Sequence, residues 1–92
     1  MLGNAKDAAS AADVMQAEYF RGFLDQQRTE LTDQLASLTR RLTACMTRGE
    51  MTAISHVRRA IRGVEADIHA VDRMAQALTR RFPDDADVKR RA

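Results

Sequence analysis

The single cysteine and the two histidines are the side chains of this sequence that most often carry chemistry in proteins. A cysteine becomes a nucleophile when a neighbouring base or positive charge stabilises its thiolate. Cys45 falls on an apolar stripe, and in the fold derived below no histidine lies beside it, although His56 is within a few turns. We therefore expect Cys45 to be a small buried hydrophobic residue.

A second candidate functional site is a cluster of two acidic residues and one histidine in the second half of the chain. Glu65, His69 and Asp72 share one surface of a helix at i, i+4 and i+7, where they offer ligands for a weakly bound metal. Glu–His neighbours at this spacing also stabilise helices without a metal. The Glu-x-x-His pair of di-iron bundles, a phosphate-binding glycine loop and a nucleophile elbow are all absent. The sequence predicts no metal, no cofactor and no catalytic residue, so we expect a protein that is not an enzyme.

Arginines are concentrated in the middle of the chain. Residues 34–63 carry six arginines against one glutamate, whereas residues 1–33 carry three basic and six acidic groups, and residues 64–92 carry six of each. A positive region of this kind attracts RNA, DNA or an acidic protein surface. We call the six residues the arginine tip, because the turn described below places them at one end of the fold: Arg40, Arg41, Arg48, Arg58, Arg59 and Arg62.

The arginine tip has two interpretations. In the first, it contacts an anionic partner, and Arg58, Arg59 and Arg62 can hold the phosphates of a nucleic acid without reading its base sequence. Specific nucleic acid binding is disfavoured, because the tip is nearly without aromatic residues and glycines and has nothing to stack on bases. In the other interpretation, the tip of one subunit lies against the acidic end of a second subunit in an antiparallel dimer, which fixes their orientation.

The bulk composition indicates one small all-helical domain. The chain has 92 residues, one proline, four glycines and few aromatic residues, which leaves little material for strands and turns. No apolar run approaches the roughly 20 residues of a membrane span. The N-terminal segment does not read as a signal peptide, and a single cysteine fits a reducing compartment. We expect a cytoplasmic protein without a membrane segment.

Two long helices must position these side chains. From Ile54 to Phe82 apolar residues recur at alternating spacings of three and four, the pattern of a coiled-coil helix that Phe82-Pro83 ends. The same rhythm runs through the first half, with Ser10 as a candidate N-cap. We predict a hairpin domain over 10–83, with helices at about 11–48 and 52–82 and a turn at 49–51. Residues 1–9 are predicted to be a flexible N-terminal tail and 84–92 a charged C-terminal tail.

Gly49 is the predicted reversal point, since Arg48 and Gly49 form a good helix stop. Folding the chain there pairs the two stripes so that the residue numbers of each pair add to 99. The pairs are Cys45 with Ile54, Leu42 with Val57, Leu38 with Ile61, Leu35 with Val64, and Leu31 with Ile68. In this register Arg21 falls opposite Leu78. Arg28 falls opposite Val71, between Asp25 and Asp72, and is expected to pair with one or both or to extend its head into water.

A weaker apolar stripe predicts self-association. We call it the alanine–phenylalanine flank; small residues there let another helix approach closely, and aromatic residues supply buried area. Its predicted contact residues are Phe20, Phe23, Ala60, Gly63, Ala70, Met74 and Ala77. A two-helix hairpin has a thin core, so a homodimer forming a four-helix bundle is expected. The alternative is that alanine is present only as a good helix former.

These features together predict an all-α, antiparallel coiled-coil hairpin that acts by contact. It is expected to form a homodimer through the flank and to bind a protein partner through the arginine tip. The alternative is a small basic regulator that docks on nucleic acid, or on a ribosome or RNA polymerase surface.

Overall fold

The computed structural model describes the backbone of residues 2–82 and the side chains of residues 11–82. It contains two α-helices, α1 at Leu2–Arg48 and α2 at Met51–Arg81, which pack against each other. Over the described residues the chain is therefore all-helical, as predicted, and forms a helical hairpin. The predicted C-terminal tail, residues 84–92, lies outside the described residues.

The first helix begins earlier than the sequence predicted. We expected a helix from about residue 11 after a flexible tail at residues 1–9, but α1 begins at Leu2. Ser10, the predicted N-cap, lies inside the helix. The segment up to residue 12 contains five alanines and no proline. Alanine has the highest intrinsic helix propensity, so no local signal stops the helix from extending toward the N-terminus.

The turn forms at Gly49, as predicted. Gly49 has a φ of 70°, in the left-handed region that favours glycine. Its N–H donates to the carbonyl oxygen of Met46 at 3.2 Å, and the N–H of Glu50 donates to the carbonyl oxygen of Cys45 at 3.1 Å. These two bonds make a Schellman motif that satisfies the last carbonyls of α1. Glu50 is the N-cap residue of α2, so the connection is shorter than the predicted 49–51.

The core is a narrow seam that is best formed near the turn. Cys45, Ile54 and Val57 are buried there, and partly buried apolar side chains pack against them. The packed side chains are Leu38, Leu42, Ala53 and Ile61. This cluster brings together the residues of the first three predicted pairs. Farther along, Ala17, Leu24 and Val71 are also buried. Only six apolar side chains in residues 11–82 reach this degree of burial, so the hairpin has a thin core.

Arg28 joins the two helices in the middle of the seam. Its Nε donates to a carboxylate oxygen of Asp72 at 2.7 Å, with a second contact at 3.5 Å from Nη2. The Arg28 side chain remains 51% exposed. The predicted pair is thus confirmed with Asp72, one of the two candidate carboxylates, and the paired side chain remains in contact with water. This hydrogen bond lowers the pKa of Asp72 and raises the pKa of Arg28.

Arg21 closes the open end of the hairpin, which the sequence did not predict. Its Nη2 donates to the carbonyl oxygen of Phe82, the C-cap residue of α2, at 2.7 Å. The N–H of Phe82 in turn donates to the carbonyl oxygen of Leu78 at 2.8 Å. A cation at a helix C-terminus interacts favourably with the helix dipole. Arg21 therefore caps α2 from the opposite helix.

Candidate interaction surfaces

The seam fixes which residues share a face of the hairpin. We label each seven-residue repeat a to g, with the seam residues at positions a and d. Positions c and g of both antiparallel helices then lie on one side of the hairpin. Positions b and e lie on the other side. The seven predicted self-association residues all occupy c or g positions. The observed seam therefore places the alanine–phenylalanine flank on a single face.

Phe20 and Phe23 are the largest apolar groups of this flank. Their rings lie 6.0 Å apart between centroids, tilted by 39°. Phe20 is 46% exposed and Phe23 is 50% exposed, as is typical of side chains covered on one side only. Met74 on α2 is similarly exposed, at 46%. Half of the available apolar area of these side chains is thus still in contact with water.

The small residues of the flank leave room beside α2. Ala60, Gly63 and Ala77 are exposed and Ala70 is half-buried. A Cβ atom built on Gly63 would meet nothing within 4 Å. The hairpin itself therefore does not require glycine at this position. Gly22 on α1 has the same open surroundings, but it occupies a b position on the opposite face.

A shallow groove near the turn lies on the flank. It has a volume of about 270 Å³ and combines seam residues with small flank residues. We call it the tip groove, and it is lined by Leu38, Arg41, Ala53, His56, Val57 and Ala60. One basic side chain, one imidazole and four apolar side chains thus form a concave surface at the end of the hairpin that holds the turn.

A second groove, of about 350 Å³, lies at the open end of the same face. Phe20 lines it together with Leu78 and Phe82, and the guanidinium of Arg81 stands 5.6 Å from the centroid of the Phe82 ring. The sequence reasoning missed this groove. The register in which pairs add to 99 also places Ala17 opposite Phe82, so extending it one layer beyond Arg21 and Leu78 would have found the groove.

The opposite face is polar. Its threonines donate to carbonyl oxygens four residues earlier in α1, for example Thr32 to Arg28 at 2.8 Å and Thr39 to Leu35 at 2.8 Å. A depression on this face is lined by charged and hydroxyl side chains. They are Asp25, Arg28, Thr29, Thr32 and Asp33. The two broad faces of the hairpin therefore differ clearly in polarity, and the flank is the apolar one.

All six residues of the arginine tip are exposed. Arg48 lies 3.7 Å from Glu50 across the turn, and within residues 11–82 the other five make no ion pair. Heptad positions distribute the six around the tip. Arg41 and Arg48 are on the side of the flank, Arg58 and Arg62 are on the polar side, and the remaining two are on the outer surfaces. The tip is thus a positive cap rather than a flat basic face.

The residues considered for chemistry lie apart from one another. Cys45 is 5% exposed and belongs to the apolar cluster at the turn, which confirms the prediction of a small buried hydrophobic residue. His56 is exposed in the tip groove. Asp72 is engaged by Arg28, while Glu65 and His69 are exposed. Among the described residues, no three His, Cys, Asp or Glu side chains are arranged to hold a metal ion.

The fold and its surfaces define a two-helix hairpin with one apolar flank and one basic end. Comparison with protein-family models, curated proteins and solved structures finds no match for this chain. Neither helix, over the residues that the structure describes, combines the length and the apolar character that crossing a bilayer requires.

Proposed function

We propose that this chain is a non-enzymatic, cytoplasmic interaction module that forms a homodimer through the alanine–phenylalanine flank and binds an acidic protein partner through the arginine tip. The observation that carries the proposal is the pair of half-exposed rings, Phe20 and Phe23, on the same face as an exposed Met74. A large apolar patch on an otherwise polar small protein marks an interaction site.

The energetics of the flank show what a dimer of moderate affinity requires. Full burial of an apolar side chain contributes about 1.5–3 kcal/mol, so the exposed half of each ring contributes roughly 0.8–1.5 kcal/mol. Four rings in a symmetric dimer then contribute roughly 3–6 kcal/mol, against an association cost of at least about 4 kcal/mol. A micromolar dimer requires a net free energy of about 8 kcal/mol. The aromatic rings alone therefore do not suffice, and burial of Met74 and close packing at the small residues must supply the remainder.

Sedimentation equilibrium of the full chain tests the dimer. We expect the wild type to dimerise and the variant Phe20→Ser/Phe23→Ser to sediment as a monomer at the same concentration. Tyr19→Ser is the matched control, because Tyr19 is an aromatic residue that is 80% exposed on the outer surface of the same helix. A wild type that remains monomeric up to millimolar concentration would contradict the proposal, as would equal effects of the two variants.

The partner is proposed to be acidic because the tip is positive and largely unpaired. Five of its six arginines make no ion pair within the described residues. Exposed charges of this kind accelerate association with an oppositely charged surface. The variant Arg58→Glu/Arg59→Glu/Arg62→Glu is expected to lose the partner in a pull-down from native lysate. Arg73→Glu/Arg80→Glu, changed far from the tip, is expected to retain it.

Nucleic acid is the second candidate partner, and the net charge of +5 over residues 34–63 favours it. The absence of any aromatic residue in that range argues against stacking on bases. Salt dependence separates the two candidates. Binding through about five phosphates predicts a roughly 500-fold loss of affinity for RNA or heparin between about 50 and 200 mM salt. No retention on either at low salt supports the protein partner.

A further inference from the structure

We propose that the homodimer is antiparallel, and that the tip groove of each copy receives Phe20 and Phe23 of the second copy. This inference rests on the self-association proposed above and specifies its geometry. The structure places the two halves of the contact on one face of one chain. The exposed rings lie near the open end, and the apolar groove lies near the turn.

One symmetry operation brings both contacts together. Phe20 and Phe23 precede the α1 residues of the tip groove, Leu38 and Arg41, by eighteen residues, or about 27 Å of helix. We place a two-fold axis halfway between the rings and the tip groove, close to Leu31. The axis lies in the plane of the flank and runs perpendicular to the helices. It lays α1 on α1 of the second copy and α2 on α2. Both copies then use the same surface, as a closed two-fold dimer requires.

The same axis also sets two further pairs of c and g residues on this face opposite each other. On α1, it sets Gln27 opposite Gln34 of the second copy, and amide side chains can donate and accept hydrogen bonds reciprocally. On α2, the axis lies level with Ile68, since the two helices pair so that residue numbers add to 99. It therefore sets Gly63 opposite Met74. The open space over Gly63, which the hairpin does not use, is then filled by the long side chain that the partner presents.

Charge selects this orientation over the one with both tips at the same end. Residues 34–63 have a net charge of +5, so a dimer with adjacent tips would place two strongly positive regions together. The antiparallel dimer instead sets each tip beside residues 1–33 of the other copy, which have a net charge of −3. In this register Arg48 stands opposite Asp13. Arg41 stands opposite Phe20, where a guanidinium can lie over the ring.

Cysteine cross-linking tests the geometry on the full chain, with Cys45 replaced by alanine in every variant. Gln27→Cys and Gln34→Cys are prepared separately, and the two are then oxidised alone and as a mixture. The antiparallel register predicts a disulfide-linked heterodimer in the mixture. It predicts little product from either variant alone, because the axis separates identical positions by seven residues, about 10 Å of helix. That distance exceeds the Cα separation of roughly 7 Å beyond which a disulfide does not form.

The outcomes distinguish this inference from the proposed function. Dimers in sedimentation without the mixed disulfide would overturn the antiparallel register and leave self-association in place. A monomer at every concentration would overturn both, and would leave the flank to a different protein. As a second readout, Asp13→Arg is expected to weaken the dimer at least tenfold at low salt, and Asp33→Arg, on the outer surface of α1, is the control.

Discussion

Replacing Gly63 with alanine tests whether the flank packs closely against a second copy or faces water. Gly63 lies inside α2, where alanine is favoured over glycine by roughly 1 kcal/mol. A Cβ added there meets no atom of the hairpin within 4 Å, so the substitution causes no strain in a monomer. If nothing covers the flank, Gly63→Ala raises the melting temperature by about 4–8 °C.

In the antiparallel dimer the result is different. The new methyl group meets Met74 of the second copy, and overpacking a close contact costs about 1–3 kcal/mol. The contact occurs twice in a symmetric dimer, so association weakens by at least about 2 kcal/mol, or roughly thirtyfold in Kd. The gain in helix propensity does not offset this loss, because it stabilises monomer and dimer equally.

Gly22→Ala is the matched control for this experiment. Gly22 also lies inside a helix and also has open space around it, but it occupies the polar face. It is expected to raise the melting temperature as much as alanine at Gly63 would in a monomer, and to leave the dimer Kd unchanged. The assay is sedimentation equilibrium combined with thermal unfolding at several protein concentrations. Equal Kd values for the two variants would refute close packing at Gly63.

Three further predictions concern the hairpin itself. Gly49→Ala is expected to lower the free energy of unfolding by about 1–2 kcal/mol in urea titration, because the φ of 70° disfavours a side chain although its surroundings are open. Gly49→Asn is expected to lose less, since asparagine tolerates this conformation. The pKa of folded Asp72 is lowered by its hydrogen bond from Arg28, so the pair stabilises the fold at neutral pH. That contribution is lost as the pH falls below the ordinary value of 3.8 and through the folded pKa. Asp72→Asn is therefore expected to be less stable than the wild type at pH 7 and to show a shallower decline in acid, and an unchanged decline would contradict the pairing. Arg21→Ala leaves the part-buried carbonyl of Phe82, the C-cap residue of α2, without its donor, which is expected to cost about 1–2 kcal/mol. Hydrogen exchange should then accelerate in the last turn of α2 more than near Gly49.

The pairing of the helices was predictable because its signal is long and repeated. Nine seam positions in each half follow one spacing rule, and a single glycine stands between them. A shift by one or two residues would place polar side chains in the seam, and a shift by a whole heptad would need a longer connection than the turn at Gly49 allows, so only one alignment is consistent. That alignment also placed Arg28 between Asp25 and Asp72, and the structure shows that it pairs with Asp72.

The start of α1 and the role of Arg21 were not predictable on the same basis. A helix start in an alanine-rich segment depends on small differences in propensity, so the sequence pattern alone does not fix its first residue. The contact of Arg21 is with a backbone carbonyl at the end of α2. Sequence patterns describe side chains. A backbone carbonyl that lacks an intrahelical donor can be predicted only when the last residue of the helix is known exactly.

The two proposed surfaces are compatible with each other, and together they determine how the dimer would work. Arg58, Arg59 and Arg62 lie away from the flank, so they stay exposed when the flank is covered. In the antiparallel dimer they occupy both ends of the assembly, and each end presents one positive cap. A partner with two acidic sites at matching distance would then bind with an avidity above that of a single tip. The dimer contact would thus raise the affinity of the tip while using only Arg41 and Arg48 of its six arginines.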